Sequence, residues 1–241
     1  MIEKENDLTE QKAEFRKEAD KLLRDCDLNL CLTCDACSEA CPATGLEDMD
    51  PKEFIQMVAE GMDEEAITTP WVWMCSMCQR CKPVCPANAD IAGVVGLARQ
   101  AWPKEKKPRG ITGSCDMALR SDTCSAMGIS EEDFRFVVED MLEEVRDEQE
   151  GWEDLGAPVN KEGAYFFLNQ NSREPVTEPD EMVPLWKILH LAGADWTYGT
   201  KGWAAENYCM FAGDLESWEH ITRVKAKAVD DLGCKVWLNT E

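Results

Sequence analysis

The segment CLTCDACSEACP, residues 31–42, places Cys31, Cys34, Cys37 and Cys41 within eleven residues and closes on a proline. Thirty-three residues later CSMCQRCKPVCP, residues 75–86, repeats the spacing C-x2-C-x2-C-x3-C-P with Cys75, Cys78, Cys81 and Cys85, and almost none of the intervening residues recur. The spacing is therefore what this internal repeat keeps. Eight thiols so arranged demand ligands or partners, and any fold the chain adopts must bring them to these.

Disulfides are the first option to weigh. The N-terminal stretch MIEKENDLTEQKAEFRKEADKLLRD is charged throughout and offers no apolar core for a secretory signal. A chain with thirteen cysteines and no such signal is expected in a reducing, cytoplasmic compartment, where disulfides do not persist and metal binding is the leading use of thiols. Zinc takes two ligands from each of two C-x2-C knuckles, which leaves the third cysteine and the proline of each motif without a role. Covalent haem attachment is excluded because no C-x2-C is followed by histidine; the two histidines, His190 and His220, both fall on predicted helices.

The full spacing matches iron-sulfur ligation. Three thiolates of C-x2-C-x2-C wrap one [4Fe-4S] cube, while the cysteine before the proline reaches a second cube. The expected ligand sets are Cys31, Cys34, Cys37 and Cys85 for one cluster, and Cys75, Cys78, Cys81 and Cys41 for the other. Trp71, Trp73, Met74 and Met77 supply apolar bulk expected to pack against the second cluster and limit its solvent.

Charge narrows the partners. Forty-eight acidic against 25 basic residues give a net charge of -23, which repels nucleic acid and anionic lipid alike. The longest apolar run considered, IAGVVGLA at residues 91–98, is far short of the roughly 20 residues a membrane-spanning helix needs. Membrane attachment is therefore expected only through another subunit, peripheral to the inner membrane.

Periodicity divides the chain into two expected domains. Residues 1–108 read as a mainly α-helical ferredoxin domain: an amphipathic helix over residues 8–23, one helix between the clusters with Asp50 as N-cap, Pro51 in its first turn and Phe54, Ile55, Val58 and Met62 on one face, and a short helix over NADIAGVVGLARQAW. PKEKKPRG then reads as a linker. Residues 109–241 read as a small α/β domain. Ser130 and Asp133 resemble a capping box opening a helix whose outer face is strongly acidic. Beyond it AYFFLN, MVPLWKILHLAG, ADWTYGT, ESWEHITRVKAKAVDDLG and CKVWLN alternate strand and helix, the pattern of a short parallel sheet, with Gly193 and Gly233 as helix stops.

The remaining cysteines divide by context. Cys26 reads as a buried free thiol, Cys115 and Cys124 as structural residues in a stretch of little periodicity, and Cys234 as core at the head of the last strand. Cys209, in ENYCMFAGD, falls in a glycine-containing loop on the side of the α/β unit where ligands collect, and is a candidate site residue.

The stretch from Cys31 to Pro86, together with YFFLN, AENYCMFAGD and LGCKVWLNTE, resembles the iron-sulfur proteins of the heterodisulfide reductase family, its C and D subunits, and among them those of membrane-bound complexes associated with sulfite reduction. The resemblance implies an oxidoreductase subunit that relays electrons from a membrane-embedded, quinol-linked subunit to a small thiol/disulfide sulfur-carrier protein. It also implies a third, catalytic [4Fe-4S] cluster in the C-terminal half. Cys209 matches the first cysteine of that pattern, but the paired-cysteine form is absent and the cysteine expected just after LNTE lies beyond the last residue. The C-terminal part is thus expected to be missing, with Cys209 metal-free in the 241-residue form. A second reading makes the chain a non-catalytic two-cluster electron wire of the succinate dehydrogenase or glycolate oxidase type. A third makes it a zinc-stabilised interaction module.

Overall fold

The computed structural model describes residues 8–240. Residues 1–7 of the charged N-terminal stretch, and Glu241, lie outside the described residues. The chain divides into two units: Met1–Arg109 with Met210–Asp214, and Gly110–Cys209 with Leu215–Glu241.

The first unit is helical and its core is built from the faces that the sequence pattern marks. Helix α1 (Thr9–Leu22) buries Phe15 and Ala19. Its Arg16 donates to the Asp63 carboxylate and, at 2.7 Å, to the Val58 carbonyl. After the short α2 (Ala36–Ala40) comes α3 (Pro51–Ala59). Asp50 holds an extended backbone and accepts the Glu53 N–H at 2.9 Å, while Pro51 occupies the first turn, where its missing N–H costs nothing. The expected single helix between the motifs is in fact two. Gly61 turns the chain at φ +78°, α4 (Asp63–Thr68) follows, and Met62 is left exposed rather than on the buried face.

A one-turn α5 (Cys81–Val84) leads to α6 (Ile91–Ala101), capped by Asp90, which accepts the Gly93 N–H at 2.9 Å. Phe54, Val58, Ile67, Trp71, Val72, Val94 and Val95 form the centre of this unit's core, each 1% exposed or less. Burial at this level contributes about 1.5–3 kcal/mol for each large side chain.

PKEKKPRG is a short 3-10 turn, Lys104–Lys106, running into a helix that the sequence pattern did not show, α7 (Arg109–Arg120). Gly110 and Gly113 lower its propensity; Cys115 and Ala118, both buried, give it the packing that propensity lacks. Helix α8 (Glu131–Glu148) opens on the expected cap: Ser130 Oγ accepts the Asp133 N–H at 3.1 Å and donates to the Asp133 carboxylate at 2.6 Å. Phe134, Val138, Met141 and Val145 are its buried stripe.

The sheet has four strands, all parallel, rather than the three expected. Central β1 (Phe166–Asn171) pairs with β2 (Trp196–Thr197), β3 (Ala204–Ala205) and β4 (Val236–Asn239). Its register sets Phe166 opposite both Trp196 and Val236. The added strand, β3, is two alanines, too short to register as a pattern. Between β1 and β2 lie α9 (Glu174–Thr177) and α10 (Val183–Leu191); α11 (Tyr208–Phe211) and α12 (Leu215–Asp231) precede β4. Gly193 and Gly233 follow the helices α10 and α12 at φ +60° and +66°, the left-handed stop that glycine adopts without steric cost. Among the described residues no helix is long and apolar enough to cross a membrane.

Candidate metal centre

Local geometry explains why the fourth cysteine of each motif departs from the other three. Helix α2 ends at Cys41 and α5 at Cys85, each followed by proline, whose ring disfavours helical backbone in the preceding residue. Both cysteines are accordingly extended, Cys41 at φ -88°, ψ 124° and Cys85 at φ -79°, ψ 114°, and so leave the path of their own motif. Helices α2 and α5 lie against each other, so each departing cysteine is carried toward the other peptide.

The result is visible as a cavity. Cys31, Cys34, Cys37 and Cys85 line one small recess, walled by Leu30, Ala87, Ala89 and Ile91 with Lys52 at its side. Lys52 is itself paired with Asp35 at 2.6 Å. Among the described residues no three His, Cys, Asp or Glu side chains converge on one point as a single ion requires; these four thiols share a volume instead. The second motif is drawn together differently. Burial pushes the Cys75 thiol up, the Met77 N–H and Arg99 oppose this, and the neighbouring Cys41 and Cys78 add to it, which places Cys41 of the first motif within electrostatic reach of Cys75. Burial, then Cys75, raises Cys81 to about 11, against backbone N–H groups of Cys81 and Ala92.

Backbone donors already aim at the sulfurs. The N–H groups of Ala43, Met77 and Ala89 donate to Cys41, Cys75 and Cys85 Sγ at 3.4, 3.4 and 3.3 Å. Such bonds stabilise thiolate and raise the potential of a cluster bound there. Cys78, the exposed member of the second motif, is lowered chiefly by the Arg80 N–H, with burial opposing. Met77 and Gln79 on either side of it hold left-handed backbone, φ +54° and +60°, a conformation that non-glycine residues adopt at a cost and that gathers at functional loops.

The tryptophans behave unequally. Trp71 is 1% exposed, donates to the Ala43 carbonyl at 3.1 Å and thereby fastens the segment after Cys41 to the segment before Cys75. Trp73 is half-buried and meets Trp102 edge-on at 5.6 Å, whereas Met74, expected to cover the second site, is 40% exposed. Sequence reasoning missed Arg99. On α6, 24 residues beyond Cys75, its buried guanidinium donates to the Cys75 carbonyl, to Val72 O at 2.8 Å and to Met77 Sδ at 3.3 Å. An arginine on the apolar face of a helix is the signal that could have found it.

Cys26 is half-buried rather than buried, and its thiol donates to the Asn88 carbonyl at 3.6 Å. In the second unit the expectation that thiols stay unpaired is overturned: Cys209 is bonded to Cys115. Cys209 sits on the one-turn α11 rather than in an open loop and is 2% exposed, so it presents no sulfur to solvent. Cys124 is a buried free thiol in the same apolar cluster, raised by burial first, with Lys225 opposing. Cys234 is half-buried ahead of β4. His190 lies beside Asp154 at 3.6 Å and edge-on to Trp152, and His220 is exposed.

Residues 6–89 match the family model described as a 4Fe-4S dicluster domain. The C subunit of the H(2):CoB-CoM heterodisulfide,ferredoxin reductase of Methanothermobacter marburgensis is 33% identical over 72 residues, 30% of this chain and 39% of that protein. The C subunit of the ferredoxin:CoB-CoM heterodisulfide reductase of Methanosarcina acetivorans is 31% identical over 88 residues, 36% of this chain and 35% of that protein. A protein of Archaeoglobus profundus described as like the C subunit of heterodisulfide reductase is 30% identical over 105 residues, 42% and 52% of the two chains. The chain thus spans between about a third and a half of the length of these curated relatives. No solved structure matches. Over the matched stretches the chain is related to the C subunits of heterodisulfide reductases, and its N-terminal part carries a 4Fe-4S dicluster domain.

Proposed function

We propose that the chain is the electron-transfer subunit of a heterodisulfide-reductase-like complex of the DsrK type, with two [4Fe-4S] clusters in a domain spanning residues 1–108 and an α/β domain in residues 109–241. Cys31, Cys34, Cys37 and Cys85 hold one cluster; Cys75, Cys78, Cys81 and Cys41 hold the other. The observation that carries this reading is the recess lined by three cysteines of the first motif and the fourth cysteine of the second. When bound, a [4Fe-4S] cube accepts and releases single electrons. The residues of the chain fix the cubes through eight thiolates, donate backbone N–H groups to three of the sulfurs, and wall the first with Leu30, Ala87, Ala89 and Ile91.

The proposed electron source is a membrane-embedded, quinol-linked subunit, which would also keep this chain peripheral to the membrane. The proposed acceptor is a small thiol/disulfide carrier protein, reached through a third cluster for which Cys209 is a candidate ligand in a longer chain. That role requires two electrons and two protons to open the Cys115–Cys209 bond into two thiols. Iron and acid-labile sulfide per chain test the core of the proposal. About eight irons with matching sulfide support two cubes, and zinc without sulfide refutes them. In a longer chain, a gain to about twelve irons that Cys209→Ser abolishes supports the third site; iron content indifferent to Cys209 removes it.

A further inference from the structure

Arg99 is 2% exposed, yet every acceptor around it is neutral. Its guanidinium donates to the carbonyls of Val72, Cys75 and Phe211, the last at 3.1 Å, and to the Met77 sulfur, and it lies 5.2 Å from the centre of the Trp73 ring. Among the described residues it makes no ion pair with a carboxylate, although the chain carries 48 acidic residues. A buried cation without a counter-charge is costly, and a guanidinium persists in such a place where an anion completes the site. The nearest chemistry able to supply that anion is the second motif, since Arg99 binds the backbone of Cys75 and the side chain of Met77 on either side of Ser76.

We propose that Arg99 is the counter-charge of the second cluster site, Cys75, Cys78, Cys81 and Cys41, and holds that cluster at a higher reduction potential than the first. The inference rests on the two-cluster reading above. A [4Fe-4S] cube with four thiolates carries two negative charges when oxidised and three after it takes up one electron. A fixed cation in a low-dielectric surrounding favours the more negative state and so draws the electron toward that cube. Among the described residues the first site has no buried, unpaired cation of this kind, although Lys52 lies in its recess and acts on Cys31. Lys52 is paired with the exposed Asp35, which offsets its charge, and Arg80 and Lys82 near the second motif are solvent-screened or paired with Asp90. An electron shared between the two sites therefore rests at the second.

The test uses the full chain with its clusters, titrated anaerobically with dithionite through redox mediators and followed by EPR. Two one-electron steps are expected, and Cys78→Ser should alter the signal of the higher one. Arg99→Gln should lower that step by at least tenfold in its reduction equilibrium, about 59 mV for one electron, and leave the other in place. Arg99→Lys, which keeps the charge but not the fork, should hold it near the unaltered value. If Arg99→Gln, with about eight irons retained, moves neither step or both alike, or if Arg99→Lys shifts the step as far as Arg99→Gln, the inference is overturned. Should Arg99→Gln fail to load, the unaltered chain decides: a Cys78→Ser-sensitive step lying below its companion overturns it. Iron well below eight in the unaltered chain defeats the two-cluster reading instead.

Discussion

Tyr198 is the hub of a buried hydrogen-bond chain in the α/β unit, and its removal gives a measurable stability change. Its hydroxyl accepts from Trp186 Nε1 at 2.9 Å and donates to Gln170 Oε1 at 2.7 Å, with Tyr198 and Trp186 wholly buried and Gln170 3% exposed. Tyr198→Phe keeps the ring, and with it the edge-on contacts to Phe134 and Trp196 at 5.4 and 5.1 Å. What it deletes is one oxygen, leaving a buried indole N–H and a buried amide oxygen without partners. Each orphaned group costs about 1–3 kcal/mol, so a loss of about 3 kcal/mol is expected from urea unfolding followed by near-ultraviolet circular dichroism.

The same residue gives a pH signature. Burial, assisted by Glu174 and opposed by the Trp186 hydrogen bond, pushes the Tyr198 phenol far above its ordinary value near 10. The unfolded chain therefore releases this proton first, so the stability present below about pH 10 falls as pH rises further, by up to about 1.4 kcal/mol per pH unit. Tyr198→Phe should remove one such increment of alkaline sensitivity. A loss under about 1 kcal/mol at neutral pH, with the alkaline slope unchanged, would refute the satisfied-network account.

Two further outcomes follow from the first unit. Gly213 holds φ +64°, and a Cβ there would meet the Arg99 carbonyl carbon at 2.6 Å and Gln100 N at 2.7 Å, whereas one at Gly61, φ +78°, would meet nothing. Gly61→Ala should cost only the left-handed strain of about 1–2 kcal/mol, and Gly213→Ala clearly more, as read from paired urea midpoints; equal costs would contradict the close approach. Cys26→Ser should leave iron at about eight per chain, because Cys26 donates to the Asn88 carbonyl instead of serving a cluster; a fall to about four would make it a ligand.

What could be read from the sequence was what periodicity and spacing encode. The caps at Asp50 and Ser130, the buried stripe of α8 and the left-handed stops at Gly193 and Gly233 all appear in the structure, because each depends on residues within a few positions of one another. What stayed hidden depends on contacts distant in sequence. Helix α7 carries two glycines and owes its existence to packing around Cys115, whose bond to Cys209 spans 94 residues. Strand β3 is too short for a pattern and forms only because β1 offers Gln170 and Asn171 as partners. At the candidate site the spacing that nominates eight cysteines is local, whereas Arg99 reaches the Cys75 carbonyl from another helix and leaves no local motif.

The central claim is that the two peptides exchange their fourth cysteines, and paired deletions test it through iron content and EPR. If Cys41 serves the cube of Cys75, Cys78 and Cys81, then Cys41→Ala with Cys75→Ala strikes one cube twice and should leave about four irons and one intact EPR signal. Cys41→Ala with Cys37→Ala should strike both cubes and leave neither. The opposite pattern, one cube surviving the loss of Cys37 and Cys41 and none surviving the loss of Cys41 and Cys75, would show that each motif ligates its own cluster and would contradict the cross-ligated account.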